Sequence, residues 1–343
     1  MTPDPMFQRA EHEMVVCNAC RYCEAYCPVF QAMEQRVAFS PTDLTYLANL
    51  CHNCGECLYA CQYAPPHEFG IDVPKTFSKL RVESYESLAW PAIAAVAFRR
   101  PWRAACAALV AGLVIVAAVA RAWTVAAAQF YSVIPHDAMV TLFGAVGLFA
   151  VTAIAIGHAR FKAGFTYEPA AARDALTLRH LHDVGDCVDG EEVRRPWRRW
   201  MHHCTFYGFA LCFASTTVAA VYHLFFGRIA PYAYMSIPVV LGTAGGIGLL
   251  IGPAGLFLID RSRDPALTHG SERALGSAFL AMLFLTSLSG LILLVLRSAP
   301  SMPALLVIHL AIVFALFITL PYGKFVHGIY RAAALVKFRR EER

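Results

Sequence analysis

Eight cysteines in two groups of identical spacing are the residues of this sequence best suited to chemistry. The segments "CNACRYCEAYC" and "CHNCGECLYAC" both read C-x2-C-x2-C-x3-C, and they supply Cys17, Cys20, Cys23, Cys27, Cys51, Cys54, Cys57 and Cys61. Three thiolates at this spacing can surround one cubane iron–sulfur cluster, and a fourth arrives from elsewhere in the chain. The spacing therefore predicts two [4Fe-4S] clusters.

In two-cluster ferredoxins the fourth cysteine of each motif ligates the cluster of the other motif. By this rule one cluster takes Cys17, Cys20, Cys23 and Cys61, and the other takes Cys51, Cys54, Cys57 and Cys27. Zinc is the alternative metal, but zinc sites use pairs of C-x2-C separated by a dozen or more residues. A third cysteine three residues after the pair favours iron–sulfur clusters over zinc.

The other four cysteines have no such spacing. Cys106, Cys204 and Cys212 lie in apolar segments and are interpreted as small residues that fill helix contacts. Cys187 lies near His180 and His182, which leaves a metal site open, although a solvated loop is the favoured interpretation.

The composition indicates a membrane protein. Of 343 residues, 58% are hydrophobic and 15% are charged, whereas about a quarter of the residues of soluble proteins are charged. The apolar runs lie after the "FRRPWR" stretch at Phe98 to Arg103. We therefore predict two domains, a cytoplasmic two-cluster iron–sulfur domain over 1–98 and a six-span transmembrane domain over 99–343.

A spanning helix needs about 20 apolar residues, and six segments qualify: 104–120, 138–157, 204–226, 235–259, 275–296 and 303–321. One set of flanks carries twenty Lys and Arg residues, and the alternate loops carry three. This bias places both termini and the cysteines on the cytoplasmic side of the inner membrane. The basic residues are interpreted as topology signals, with no nucleic-acid partner, and the polar start "MTPDPMFQRAEHE" predicts no cleavable signal peptide.

The connector between the two motifs favours helices over the strands of a β-sheet ferredoxin. Ser40, Pro41, Thr42 and Asp43 are typical of a helix start, and helical apolar spacing follows them. The predicted fold class is all-α, with an N-terminal helical two-cluster [4Fe-4S] ferredoxin-like domain followed by a six-helix transmembrane bundle.

Histidines inside the predicted spans are candidate haem ligands, because ionisable residues are costly in a membrane. The outer level holds His136, His223 and His309; the cytoplasmic level holds His158, His202, His203 and His327. His309 and His327 are 18 residues apart, five turns and roughly 27 Å on one helix, if that helix continues past Pro321. The candidates are His203, His223, His309 and His327, and hydrogen bonding in the lipid interface is the alternative for histidines at helix ends.

The fourth span, "LGTAGGIGLLIGPAG", is rich in glycine. A nucleotide-binding loop needs a soluble strand–loop–helix context, which this span lacks. Gly248 and Gly252 form a G-x-x-x-G pair, which predicts close approach of a second helix or a cofactor.

The double motif, joined to "RRWMHHCTFYGFALCFASTTVAAVYHLFFG" and "PVVLGTAGGIGLLIGPAGL", resembles the tricarballylate/citrate-utilisation protein B family (TcuB/CitB) over nearly the whole chain. It is also similar to the membrane half of CobZ. The resemblance implies a membrane electron carrier with two [4Fe-4S] clusters and one or two b-type haems. The eight cysteines, His203 and His223 match the family motifs, while His309 and His327 rest on their predicted depth.

The family implies a function in which reduced FAD on a cytoplasmic dehydrogenase, specific for tricarballylate or a citrate-related substrate, is reoxidised and electrons reach quinone. The chain is then an oxidoreductase subunit without an organic-substrate site of its own. Arg194 to Trp200 is a candidate docking stretch for the dehydrogenase, with lipid headgroups as the alternative. Other functions left open are a CobZ-like partner in cobalamin synthesis and a cluster-regulated membrane sensor or transporter.

Overall fold

A computed structural model describes residues 5–123, 130–162, 167–181 and 196–342. In these ranges the regular structure is helical and contains no strand, so the predicted all-α class is confirmed. Residues 1–98 are called the cysteine half below, and residues 99–343 the membrane half.

The cysteine half consists of short helices separated by the two cysteine motifs. They are α1 (Pro5–Cys20), α2 (Pro28–Glu34), α3 (Pro41–Leu50), α4 (Glu56–Tyr59), α5 (Val73–Leu88) and α6 (Ala92–Ala97). The predicted start of α3 is confirmed: Ser40 Oγ accepts from Asp43 N, and the Asp43 carboxylate accepts from Ser40 N, each at 3.2 Å. Such a capping box stabilises a helix by about 1 kcal/mol.

The membrane half contains longer helices with short elements between them. They are α7 (Pro101–Trp123), α8 (Phe130–Val133), α9 (His136–Phe161), α10 (Pro169–Thr177), α11 (Trp197–Phe226), α12 (Ile237–Ser262), α13 (Gly270–Val295), α14 (Met302–Thr319) and α15 (Val326–Glu341). Six of the described helices, α7, α9, α11, α12, α13 and α14, are long and apolar enough to cross a membrane. They correspond to the six predicted spans and indicate a multi-pass membrane protein.

The helix of the last span, α14, ends before it reaches His327, so it carries His309 alone of these two histidines. Helix α14 stops at Thr319, and α15 begins at Val326 after a turn that contains Pro321. Proline has no N–H to continue the helical ladder and crowds the preceding turn. His309 and His327 therefore lie on separate helices, and the condition for placing them on one continuous helix is not met.

Helix α15 packs into the core of the cysteine half. Phe338 and Ala334 of α15 are 1% and 0% exposed and belong to the same buried cluster as Leu47 of α3 and Phe77 of α5. The C-terminal segment therefore stabilises the fold around the cysteine motifs, and the hydrophobic core crosses the predicted domain boundary.

Helices α11 and α12 approach closely along the glycine-rich face that the sequence predicts. A Cβ added to Gly245 would lie 2.8 Å from the backbone N of Cys212, and one added to Gly248 would lie 3.0 Å from the backbone O of Cys204. Helix α12 also packs on α13, α13 on α14, and α14 on α7. The predicted close approach at Gly248 is thus confirmed as a helix–helix contact.

Replacing Gly245 by Ala should separate α11 from α12, because the new methyl group meets backbone atoms that cannot rotate away. We expect the variant to be destabilised by about 1–3 kcal/mol, as in other overpacked interiors. The measurement is thermal unfolding of the detergent-solubilised protein. Gly144→Ala on α9 is the matched control, since nothing lies within 4 Å of its Cβ position; equal melting temperatures for the two variants would contradict the prediction.

Candidate functional site

Five of the motif cysteines surround a cavity of about 270 Å³ in the cysteine half. Helix α1 supplies two of them at its C-terminal end, and the segment around the short helix α4 supplies two more. Apolar side chains, among them Phe30 and Ile71, complete the wall, and Tyr22 at the rim is 66% exposed. The cysteines of this first cavity are Cys17, Cys20, Cys23, Cys57 and Cys61.

The other three motif cysteines, together with Cys57 of the first cavity, lie around a second, narrower cavity. Its wall includes His52 and His180, whose ring centroids are 5.8 Å apart. The cysteines of this second cavity are Cys27, Cys51, Cys54 and Cys57.

The two cavities therefore group the cysteines across the two motifs. Cys61 belongs to the second motif by sequence but lies at the first cavity, and Cys27 belongs to the first motif but lies at the second cavity. This is the grouping expected for crossed ligation, except that Cys57 borders both cavities. Ligation itself stays a prediction.

Burial suppresses ionisation of these thiols. It raises the pKa of Cys23 to about 12, with the charges of Cys61 and Cys20 adding to the effect, and it raises the pKa of Cys27 and Cys57 well above the usual value. Since a metal binds the thiolate, loading these sites with iron must release protons.

The arrangement of the cysteines around cavities suits a cluster better than a single ion. Four sulfurs around one zinc, at Zn–S distances of about 2.3 Å, would lie roughly 3.8 Å from one another. Among the described residues no group of three or more His, Cys, Asp or Glu is gathered in a way that could hold one metal ion. In a cubane each thiolate bonds a different iron, so cysteines that line a cavity fit this geometry.

The backbone of residues 51–54, called the Cys51 loop below, receives hydrogen bonds from several arginines. Arg81 of α5 donates to the Cys51 carbonyl at 3.1 Å, and Arg331 of α15 donates to the same oxygen at 2.8 Å. Arg81 is 1% exposed, so its contact with the loop is shielded from water.

Two further arginines come from the ends of membrane-half helices. Arg198 of α11 donates to the carbonyls of His52 (3.0 Å) and Asn53 (3.2 Å). Arg263, directly after α12, donates to those of Asn53 (2.7 Å) and Cys54 (3.1 Å). Arg198 belongs to the predicted docking stretch and here points inward; Arg194 and Arg195 lie outside the described residues.

At the level of the Cys51 loop, the structure brings His327 opposite His202. Their ring centroids are 6.2 Å apart, and His327 Nδ1 donates to the Lys324 carbonyl. Burial, reinforced by the charges of Arg331 and Lys324, lowers the pKa of His327 well below its usual value. The adjacent His203 instead stacks on Tyr207, with centroids 5.6 Å apart.

The outer histidines form different contacts. His223 stacks on His136 with ring centroids 3.5 Å apart, and Tyr131 packs against both. His309 Nδ1 lies 2.9 Å from Ser289 Oγ, and its ring rests over Gly290. His182 and Cys187 lie outside the described residues, so the metal site considered there stays a prediction.

Two family models together match most of the chain. The model for citrate utilization protein B matches residues 103–343, and the model for the Fer4-like domain of citrate utilization protein B matches residues 10–87. The citrate utilization protein B of Escherichia coli is 45% identical over 349 residues, which cover 97% of this chain and 92% of that protein. The chain belongs to the citrate utilization protein B family. No solved structure matches it significantly.

The match to the Fer4-like domain covers both cysteine motifs. This match and the grouping of the cysteines around cavities together indicate iron–sulfur clusters. Sequence reasoning missed the inward contacts of the arginines, because it interpreted the basic residues as topology signals. It placed His202 at the cytoplasmic level but did not predict that the ring of His202, and not that of His203, faces His327; the two side chains differ in direction around α11. Which neighbouring helix a side chain faces depends on tertiary packing, and a local sequence motif does not determine that packing.

A buried ion pair joins the two halves of this family member beside the Cys51 loop. Arg81 Nε and Nη2 donate to the Glu272 carboxylate on α13 at 3.0 and 2.7 Å, and Lys324 also contacts this carboxylate. Glu272 is 6% exposed. Two cations thus share one carboxylate that is out of contact with bulk water.

Replacing Glu272 by Ala should destabilise the protein by about 3–5 kcal/mol, because it leaves Arg81 and Lys324 buried without their counter-charge. Unfolding of the solubilised protein by heat or denaturant measures the effect. Glu86→Ala is the control, since its partner Arg99 is exposed and surface pairs contribute little. A melting temperature of Glu272→Ala as high as that of the control would show that the pair is not structurally important.

Proposed function

We propose that this protein is a membrane electron carrier that reoxidises the reduced FAD of a partner dehydrogenase and delivers the electrons to quinone through two [4Fe-4S] clusters and b-type haem. The observation that carries the proposal is the grouping of the eight motif cysteines around two adjacent cavities, the second of which adjoins the membrane-half helices. Such clusters supply one-electron transfer, while the protein supplies ligands, burial and charge.

The ligands we propose are those of the crossed arrangement. One cluster is held by Cys17, Cys20, Cys23 and Cys61; the other is held by Cys51, Cys54, Cys57 and Cys27. Cys57 borders both cavities, and we assign it to the second because, after burial, Cys54, Cys27 and Cys51 contribute more than Cys23 to the raised pKa of its thiol.

The first cavity is the entry point for electrons in this proposal, since the exposed Tyr22 marks its rim. Electrons leave from the second cavity in this proposal, because the arginines that bind its loop lie close to histidines of the membrane half. Arg198 lies one helical turn from His202, and Arg331 lies one helical turn from His327. Four residues of helix rise about 6 Å, so this histidine pair lies close to the Cys51 loop.

For haem, His203, His223, His309 and His327 stay the predicted ligands, and we propose His202, which lies opposite His327, as the alternative to His203. If one metal ion were held by a nitrogen of each ring at about 2 Å, the two ring centroids would lie up to about 6 Å apart. The 6.2 Å between His202 and His327 is compatible with this value. The bond from His327 Nδ1 to a backbone carbonyl leaves Nε2 for a metal, a common arrangement in metal sites.

The partner and the location follow from the family and the charge pattern. Because the Escherichia coli relative is a citrate utilization protein, we propose that the dehydrogenase acts on citrate or a related tricarboxylate such as tricarballylate. The basic flanks are on the side of the cysteine half, which supports an inner-membrane protein with both termini in the cytoplasm.

Crossed ligation predicts that Cys61→Ser resembles Cys20→Ser and differs from Cys54→Ser. The first two variants should lose the same cluster signal in electron paramagnetic resonance (EPR) spectra of the reduced protein, and about half of the cluster iron and sulfide. Cys27→Ser should lose the signal that Cys54→Ser loses. If Cys61→Ser instead removes the Cys54 signal, each motif binds its own cluster; wild-type protein without acid-labile sulfide would refute the proposed function itself.

The adjacent His202 and His203 provide a matched test of the haem site. We expect His202→Ala and His327→Ala each to diminish the b-type α-band in a dithionite-reduced minus oxidised spectrum, because each would remove a residue that we propose to hold the haem. His203→Ala should retain the band if His202 is the partner of His327. Loss of the band in His203→Ala alone would return the assignment to His203, and a wild-type spectrum without the band would exclude haem.

A further inference from the structure

The two cysteine cavities differ in the charges around them. At the second cavity, each of the four carbonyl groups of the Cys51 loop accepts a hydrogen bond from a guanidinium group. The donors come from α5, α11, the end of α12 and α15, and they are Arg81, Arg198, Arg263 and Arg331. Three of the four belong to the membrane half.

The nearby carboxylates offset only part of this positive charge. Glu272 is shared by Arg81 and Lys324. Glu56, which is 4% exposed, follows Cys54 by two residues and lines the second cavity itself. The arginines do not line this cavity, but the four of them and Lys324 outnumber the two carboxylates around the Cys51 loop.

The first cavity lies close to an acidic residue. Glu13, one helical turn before the first motif on α1, is 1% exposed and accepts hydrogen bonds from Thr76 at 2.8 Å and from Arg9, which is half-exposed, at 3.1 Å. Glu13 adds negative charge when ionised and none when protonated. Arg21 of the first motif donates to the Asn18 carbonyl at the exposed surface, where water screens its charge.

Reduction adds one negative charge to an iron–sulfur cluster, and its potential depends on hydrogen bonding, net charge and burial. A nearby positive charge stabilises the reduced state more strongly at low effective dielectric constant than in water. We propose that the four arginines make the cluster at the Cys51 loop the higher-potential electron acceptor of the two. One electron then leaves the cluster of the first cavity and reduces that of the second, with no bond made or broken.

This inference rests on the proposed function, and adjacent arginines test it with matched variants. Arg198 contacts the Cys51 loop, whereas Arg199 donates to the Thr177 carbonyl at 2.7 Å. On α15, Arg331 also contacts the loop. The experiment is an EPR-monitored redox titration of the full-length solubilised protein, with each signal assigned from Cys20→Ser and Cys54→Ser.

In the wild-type protein we expect the signal absent from Cys54→Ser to titrate at the higher midpoint potential. Arg198→Gln and Arg331→Gln should lower that potential and leave the other cluster unchanged, while Arg199→Gln should shift neither. Arg331→Lys retains the charge and should lie nearer to wild type than Arg331→Gln. This variant also serves if the Gln variants do not fold, which iron content and circular dichroism would reveal.

Two results would overturn the inference while the proposed function stands. One is a wild-type protein whose first-cavity cluster has the higher potential. The other is a pair of intact Gln variants at Arg198 and Arg331 whose potentials equal that of the Arg199 control. Absence of both cluster signals from the wild-type protein would instead refute the proposed function, so the two failures are distinguishable.

Discussion

The position of the cysteine cavities relative to the membrane-half helices depends on the junction between the cysteine half and the membrane half. The junction is made largely of charged groups hydrogen-bonded to backbone carbonyls of the Cys51 loop, with the Arg81–Glu272 pair beside them. Guanidinium groups suit this task because their planar forks bind two acceptors at once. Arg198 and Arg263 each donate to two consecutive carbonyl groups, so a shift of the loop by one residue would break these hydrogen bonds.

Burying such a junction is costly, since a buried ion pair seldom stabilises more than well-packed apolar residues would. Apolar contacts already join the halves, because Phe338 of α15 lies in the core of the cysteine half. The polar contacts therefore do more than add stability. They satisfy the carbonyl groups of a loop that has no regular secondary structure, and they select one position of that loop relative to α11, α12 and α15. Apolar contacts are not directional, so by themselves they would specify the position of the loop less closely.

The sequence was informative wherever a local pattern determines the outcome. The cysteine spacing, the Ser40 helix start and the six apolar runs each depend on neighbouring residues, and the cavities, the capping box and the long helices correspond to them. The same reasoning could not choose between His202 and His203, which differ by about 100° around one helix. Nor could it anticipate that α15 returns to the cysteine half, because that contact joins residues nearly three hundred positions apart.

The arginines illustrate why one residue pattern can have two physical meanings. Lys and Arg at one end of apolar spans orient a membrane protein, and that function needs only their charge and approximate position. Arg198, Arg263 and Arg331 also donate to defined carbonyl oxygens, which needs a particular side chain at a particular place. Lysine at these positions would preserve the topology signal and lose the forked contacts, so exchange of Arg for Lys separates the two meanings. In the proposed topology the same arginines contribute to the positive charge that orients the spans, and they also hold the loop that lines the nearest cavity.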